Sequence, residues 1–333
     1  MSVEPNEQFD TAPLPLPDVS DLPLFAYGSL RKAELGHDQI ADAVRAIAPA
    51  TVSAALRVLD GLPVLDCGLG GLVVGDLIWF DDASDGYASE CMYEPSSVYR
   101  WTTLRAACDG REIEANVLVA ALLPNGTGDV LGPSTGADLV EWWSVSADPL
   151  FAYGLPAVSA MASESALKPF SAGVMADASE WQRFYEVQAA YLLACSVLER
   201  IAYFSLGARL KPTARVRELG KRSDFKAAAS KAGVTEPRRA VGLSNAPADR
   251  RSARLSGAGF ADRVYRIRSN VMHRGKSAYQ EAELLRAALL DLHDTLRIYL
   301  AMRAPPLMET WSQLDPAGAQ RDWRIKPVDR PSR

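Results

Sequence analysis

The sequence predicts an α+β fold class, with a strand-rich, barrel-like N-terminal domain followed by an all-α helical-bundle C-terminal domain. Three observations predict it. Short apolar runs broken by turn residues fill the first part of the chain, and helical periodicity takes over from about Ser179 to Arg303. Charge divides along the same line: residues 1–151 hold 7 Lys and Arg against 23 Asp and Glu, and residues 152–333 hold 29 against 18. A chain of 333 residues that is 48% hydrophobic is long enough for about two cores.

Taken in order, residues 1–20 carry Pro5, Pro13, Pro15 and Pro17 among polar and acidic residues, the composition of a flexible arm. Leu24-Phe25-Ala26-Tyr27 is a short buried strand ending at Gly28-Ser29, and Ile40, Ala43, Val44 and Ile47 then fall at helical spacing. Strand-like runs follow at Val52–Leu59, Gly71–Phe80, Val98–Ala106 and Ile113–Leu122, with turns at Asp60-Gly61 and Asp109-Gly110. The Gly- and Pro-rich stretch from Pro124 to Ser134 closes a domain over residues 21–140, and 141–178 forms a connector. Within that connector Pro149-Leu150-Phe151-Ala152-Tyr153-Gly154 echoes Pro23-Leu24-Phe25-Ala26-Tyr27-Gly28, a chance match or a local strand pairing rather than a duplicated domain. The helical domain spans 179–304, interrupted by a basic, Pro- and Gly-containing segment from Lys211 to Gly259, and 305–333 is a loosely attached tail.

Cys67, Cys91, Cys108 and Cys195 show neither CxxC pairing nor ligand spacing with His37, His273 or His293, which argues against zinc and against a disulfide framework. The start of the chain is acidic where a secretion signal is basic. No apolar run reaches the roughly 18 residues of a membrane span, and the longest helical candidate, Val187 to Gly207, is interrupted by Glu199 and Arg200. The expectation is a cytoplasmic protein with no membrane, metal or cofactor.

A turn such as Gly28-Ser29-Leu30 between a strand and a helix would present backbone N–H groups to a carboxylate or phosphate, and a glycine allows close approach. Tight strand-to-helix turns are common and usually plain structure. Phe25-Ala26-Tyr27-Gly28-Ser29-Leu30-Arg31 resembles the Tyr-Gly-[Ser/Thr]-Leu signature of gamma-glutamylcyclotransferase-like domains. Val73-Val74-Gly75-Asp76-Leu77, Tyr93-Glu94 and Tyr99-Arg100 resemble further elements of that family, over about residues 22–125. The resemblance implies a small mixed β-barrel, substrate binding by Tyr27, Gly28, Ser29 and Leu30, and Glu94 as the acid/base that closes 5-oxoproline from a gamma-glutamyl amine. Cys91-Met92 stands where the family has an aspartate-rich segment, which leaves the substrate open. Glu90 lies four residues before Glu94 and would share its face on a helix, as a carboxylate pair or as two exposed helix charges.

Near the other end, Arg266-Ile267-Arg268-Ser269-Asn270-Val271-Met272-His273-Arg274-Gly275-Lys276 gathers an imidazole, several cations and a helix stop. An imidazole to take a proton and a guanidinium to hold a phosphate would suit cleavage of RNA by its own 2'-hydroxyl. The same residues would also make a solvated helix end with cations suited to the C-terminal dipole. Arg268 and His273 sit roughly 140° apart on an ideal helix, so a shared site needs a helix end near Gly275 or a second protomer. Asn270 shares the face of His273. The Arg-x4-His spacing and the string around it resemble HEPN domains, over roughly residues 175–305. That resemblance implies a metal-independent ribonuclease working as a homodimer, with Arg268, Asn270 and His273 in the site and Glu199, on a preceding helix from Trp181 to Leu206, beside it.

Between Ser205 and Leu255 thirteen Lys and Arg face only Glu218, Asp224, Glu236 and Asp249, a balance that fits a polyanion. The acidic half could instead lie against this basic half and occlude it. The resemblances together imply a two-module stress or defence effector acting on RNA. The alternatives are a gamma-glutamyl amine cyclotransferase dimerised by its helices, and a non-enzymatic protein that binds a small carboxylate metabolite and a partner or RNA.

Overall fold

The computed structural model describes residues 13–32, 34–59, 61–121, 129–131, 139–140, 142, 144, 148–164, 168–170, 177–207, 209–234, 241–242, 250–251, 257–274 and 282–303. It is mixed α+β, with a closed five-stranded β-barrel in the N-terminal half and several helices in the C-terminal half. The barrel strands are β1 (Leu24–Ala26), β2 (Val44–Ser53), β5 (Leu72–Phe80), β6 (Tyr99–Cys108) and β7 (Arg111–Ala120). They run in the order β1-β7-β6-β2-β5, and β5 closes the ring by pairing antiparallel with β1, Phe25 opposite Leu77. Beside the barrel, β3 (Ala55–Leu59) lies between β4 (Leu62–Asp66) and β8 (Asp129–Leu131), and β9 (Leu139–Val140) runs parallel to β5. Asp109 and Gly110 both take positive φ, 48° and 73°, as a two-residue hairpin between β6 and β7 requires.

Helix α1 (Ala83–Tyr93) follows β5, its first turn capped by Asp82 accepting from the backbone N–H of Ser84 and Asp85. The C-terminal half comprises α2 (Leu155–Glu164), α3 (Ala178–Leu206), α4 (Pro212–Leu219), α5 (Ser223–Lys231), α6 (Gly257–Arg274) and α7 (Ala282–Arg303). Asp177 caps α3 through Ser179 and Glu180, and Gly207 ends it at φ 72°. By length and composition α3 could cross a membrane, but it serves as a core helix: Val187, Ala194, Leu198 and Ile201 are fully buried. One continuous apolar core joins Phe25, Leu77 and Val117 of the barrel to Val187, Leu198 and Leu292 of the helices.

Several expectations are corrected. Ile40 to Ile47 is not a helix; two 3-10 turns, His37–Gln39 and Ala41–Ala43, lead into β2, which pairs with β5 from end to end. Pro49 is tolerated inside β2 because the other flank of that strand pairs with β6 only at Thr51 and Val52. The arm is anchored over its second part: Leu14 is buried, its N–H donates to Cys91, and the Trp101 indole donates to the Pro15 carbonyl. The connector contains a π-helical turn, Leu150–Gly154, running into α2, so the second copy of Leu-Phe-Ala-Tyr-Gly is helical where the first is a strand. The basic interruption holds α4 and α5, and a two-residue pairing of Val241–Gly242 with Arg250–Arg251 means the C-terminal half is not all-α. Residues 1–12 and 304–333 lie outside the described residues.

Carboxylates of the acidic half do meet cations of the basic half. Asp38 pairs with Arg222 and, at 2.7 Å, with Arg303, while Asp224 sits 3.2 and 3.3 Å from the same two guanidinium groups. Asp148 pairs with Arg200 at 2.5 Å.

Candidate active site

Strand β1 delivers Tyr27 and the following turn to one end of the barrel, where they border a cavity of about 460 Å³ including its open mouth. The turn presses against β4: a Cβ on Gly28 would lie 2.8 Å from Pro63 Cγ, so glycine is the residue that fits. The turn is held by Gly36 N–H donating to the Ser29 carbonyl at 2.9 Å and Arg31 N–H donating to the Gly28 carbonyl at 3.1 Å. No α-helix starts here, so the expected helix N-terminal cradle is replaced by a bare turn followed by 3-10 turns.

Buried hydroxyls surround the cavity. Tyr27 donates to the Leu118 carbonyl at 2.7 Å and Tyr99 to the Pro63 carbonyl at 2.8 Å. The Tyr93 hydroxyl lies 3.0 Å from Ser29 Oγ and also contacts the Phe204 carbonyl. A carbonyl can only accept, so Tyr93 donates to Phe204 and the Ser29 hydroxyl donates to Tyr93. Burial raises the pKa of all three phenols, which stay neutral.

Glu94 caps the C-terminus of α1, its N–H donating to the Glu90 carbonyl at 3.0 Å, and both residues line the cavity. Burial pushes the Glu94 carboxyl up to about 8. Burial also raises Glu90, with the Glu94 charge adding to the effect. A carboxyl titrating near neutral pH, facing a polar turn across an aromatic-walled cavity, can both take and return a proton.

Tyr27, Gly28, Ser29, Leu30 and Glu94 therefore come together around one cavity. Two of its walls, Tyr203 and Phe204, come from the last turn of α3 and were not foreseen. Nothing local marks them, since on α3 they look like ordinary core residues. Glu34 lies 1% exposed near the same turn, its Oε1 accepting from Ser144 N–H at 3.2 Å, and burial raises it to about 7.

In the helical half, Arg268 lies 3.3 Å from Glu199 Oε1, and Tyr265 donates to the same oxygen at 2.6 Å. The Arg268 guanidinium also sits 5.5 Å from the Tyr265 ring centre. Arg268 is partly exposed, whereas Asn270 is buried, two positions on and so across the helix. Helix α6 continues through position 273, which keeps the backbone positions of Arg268 and His273 roughly 140° apart; the His273 side chain lies outside the described residues, as does Gly275. The structure thus brings Arg268 to Glu199, with Asn270 on the buried side of the same helix. Some cations expected to face a polyanion have partners within the chain: Arg215 is buried 4.9 Å from the Tyr203 ring centre, and the exposed Arg217 pairs with Asp262, as does Arg266 of the later cluster. All four cysteines are free thiols, and only Cys67 is exposed.

No protein-family model matches the chain, and no curated protein matches it. Among solved structures, a crystal structure of an uncharacterised protein from Pyrococcus horikoshii is similar over 32% of this chain and 85% of its own, at 15% sequence identity and a TM-score of 0.25.

Proposed function

We propose that the barrel cavity is a gamma-glutamylcyclotransferase-like active site that releases 5-oxoproline from a gamma-glutamyl amine. The observation that carries this reading is the convergence of Glu94 and the Tyr27–Leu30 turn on one cavity. The Glu94 carboxylate takes a proton from the substrate's α-ammonium, and the freed amine attacks the side-chain carbonyl carbon. A lactam C–N bond forms and the bond to the departing amine breaks, while the two protons shed in turn by the attacking nitrogen pass through Glu94 to the departing nitrogen, which leaves as an ammonium. No water is consumed. A carboxyl near 8 is matched to this exchange, because neither proton transfer is then strongly uphill. Backbone N–H groups of the Gly28–Leu30 turn hold the substrate, and the walls of the cavity keep the amine close to the carbonyl. The test is 5-oxoproline release by the full chain from a panel of gamma-glutamyl amines. Glu94→Gln should lower turnover by about 100-fold or more; turnover that survives it would remove the assignment.

A second reading, favoured by the Arg268–Glu199 contact, is that the helical half is a HEPN-type metal-independent ribonuclease, working as a cytoplasmic homodimer in stress or defence. His273 would take the 2'-hydroxyl proton and Arg268, released from Glu199, would hold the phosphate. RNA cleavage in the presence of chelator, abolished by His273→Ala, is the expected result; cleavage unaffected by that change would discard it. Should neither activity appear, salt-sensitive RNA binding and metabolite binding by the cavity would leave the non-enzymatic reading.

A further inference from the structure

Glu90 is used by neither reading, yet it lines the same cavity as Glu94. It is 1% exposed, and its Oε2 has no hydrogen-bond partner among the described residues. The described residues lining the cavity include no Lys, Arg or His, so no cation of the lining offsets a negative charge there. Its position on α1 works against ionisation twice over. It occupies the last turn, where the unpaired carbonyls make the helix end negative, and it precedes Glu94 by one turn, the spacing at which like charges repel. A buried carboxyl without a counter-charge is more stable neutral, and a neutral carboxyl has an O–H to donate.

We infer that Glu90 stands as a neutral carboxylic acid and donates a hydrogen bond into the cavity to a carbonyl oxygen of the ligand bound there. On the cyclotransferase reading, on which this last identification rests, that oxygen is the side-chain carbonyl under attack. The hydrogen bond tightens as negative charge develops on it. Two carboxyls one helical turn apart then divide the work: Glu94 moves the proton, and Glu90 stabilises the oxyanion without giving its proton up. The titratable groups around Glu90 fit this division. Tyr27, Tyr87 and Cys91 are all raised by burial and stay neutral, leaving Glu94 as the neighbour whose charge changes.

Infrared spectroscopy of the full chain at pH 7 tests the protonation state directly. The carbonyl absorption of protonated carboxylic acids should lose in Glu90→Gln a component distinct from those lost in Glu94→Gln and Glu34→Gln, whose carboxyls are also partly protonated at this pH, and that component should shift when 5-oxoproline or the simple amide N-methylacetamide enters the cavity. A spectrum unchanged by Glu90→Gln, or a band that neither probe moves, overturns the inference. Kinetics supply the second arm. Glu90→Leu should lose about 100-fold in kcat with little change in KM, while Glu90→Gln, which keeps an N–H donor, loses only several-fold. A Gln variant as impaired as the Leu variant would mean that an anionic Glu90 is required, and would also overturn it. Failure of the wild-type chain to form 5-oxoproline bears on the cyclotransferase reading alone, because the infrared arm still decides the state of Glu90.

Discussion

The Tyr93 hydroxyl donates to the Phe204 carbonyl, so the end of the barrel's own helix caps the last turn of the long helix from the other half. The final carbonyls of a helix have no partner within it, and this one is met by a phenol buried beside the cavity. Tyr93→Phe removes the donor and leaves a buried carbonyl unmet. Urea denaturation should show a loss of about 1–2 kcal/mol; an unchanged midpoint would mean that the contact contributes nothing.

Gly207 has the positive φ that suits glycine, 72°, and a Cβ there would lie 2.6 Å from the Tyr93 backbone oxygen. Gly110 has nearly the same φ, 73°, but nothing within 4 Å of its Cβ position. Gly110→Ala should therefore cost only the backbone strain, about 1 kcal/mol, and Gly207→Ala more, up to about 3 kcal/mol. Thermal melts of the two variants side by side measure the difference, and equal melting temperatures would contradict the close approach.

The raised carboxyls set the direction of pH dependence. Glu34 moves from an ordinary value of 4.5 to about 7 on burial, and Glu94 to about 8. Between the unfolded and folded values the native state binds more protons than the unfolded chain, so their contribution to stability is full below about 4.5 and is lost as pH rises through 7 and 8. Urea midpoints should fall from pH 6 to pH 8.5, and Glu34→Gln should flatten the lower part of that decline. Midpoints that rise over this interval would refute the assignment.

Asp38 behaves in the opposite sense. Burial alone would raise its pKa, but hydrogen bonds and charge from Arg303 and Arg222 hold it below 3.8. Its contribution is present above the ordinary value and is lost as pH falls through the lowered one. Asp38→Asn should destabilise the chain by about 1–2 kcal/mol at pH 7, allowing for partial exposure, and by less in strong acid. A double-mutant cycle with Arg303→Gln measures the coupling, and additive effects would show that there is none.

Much of the barrel was legible because its signals are local. The runs that became β5, β6 and β7 end at turn residues, and Asp109-Gly110 has the chemistry of a tight hairpin. The turn from Tyr27 to Leu30 and the carboxyl of Glu94 were both anticipated, although not the turn's surroundings. Where tertiary contacts override local preference the reading failed. Ile40, Ala43, Val44 and Ile47 are spaced as on a helix, yet cross-strand pairing with β5 holds the last two extended. The two copies of Leu-Phe-Ala-Tyr-Gly make the same point. In the first, Tyr27 is 5% exposed at the end of a strand; in the second, Tyr153 is 76% exposed on a helical turn. Residues 203 and 204 reach the cavity only because distant parts of the chain pack together, which no window of sequence displays.

That the cavity borrows two aromatic walls from α3 restricts how this chain could be rearranged. A fragment ending at residue 140 would keep the turn and both acids but lack Tyr203 and Phe204, and its apolar interior would face solvent. Grafting either half onto a different neighbour would meet the same obstacle. The two halves therefore share one site, whose walls are complete only when both are present.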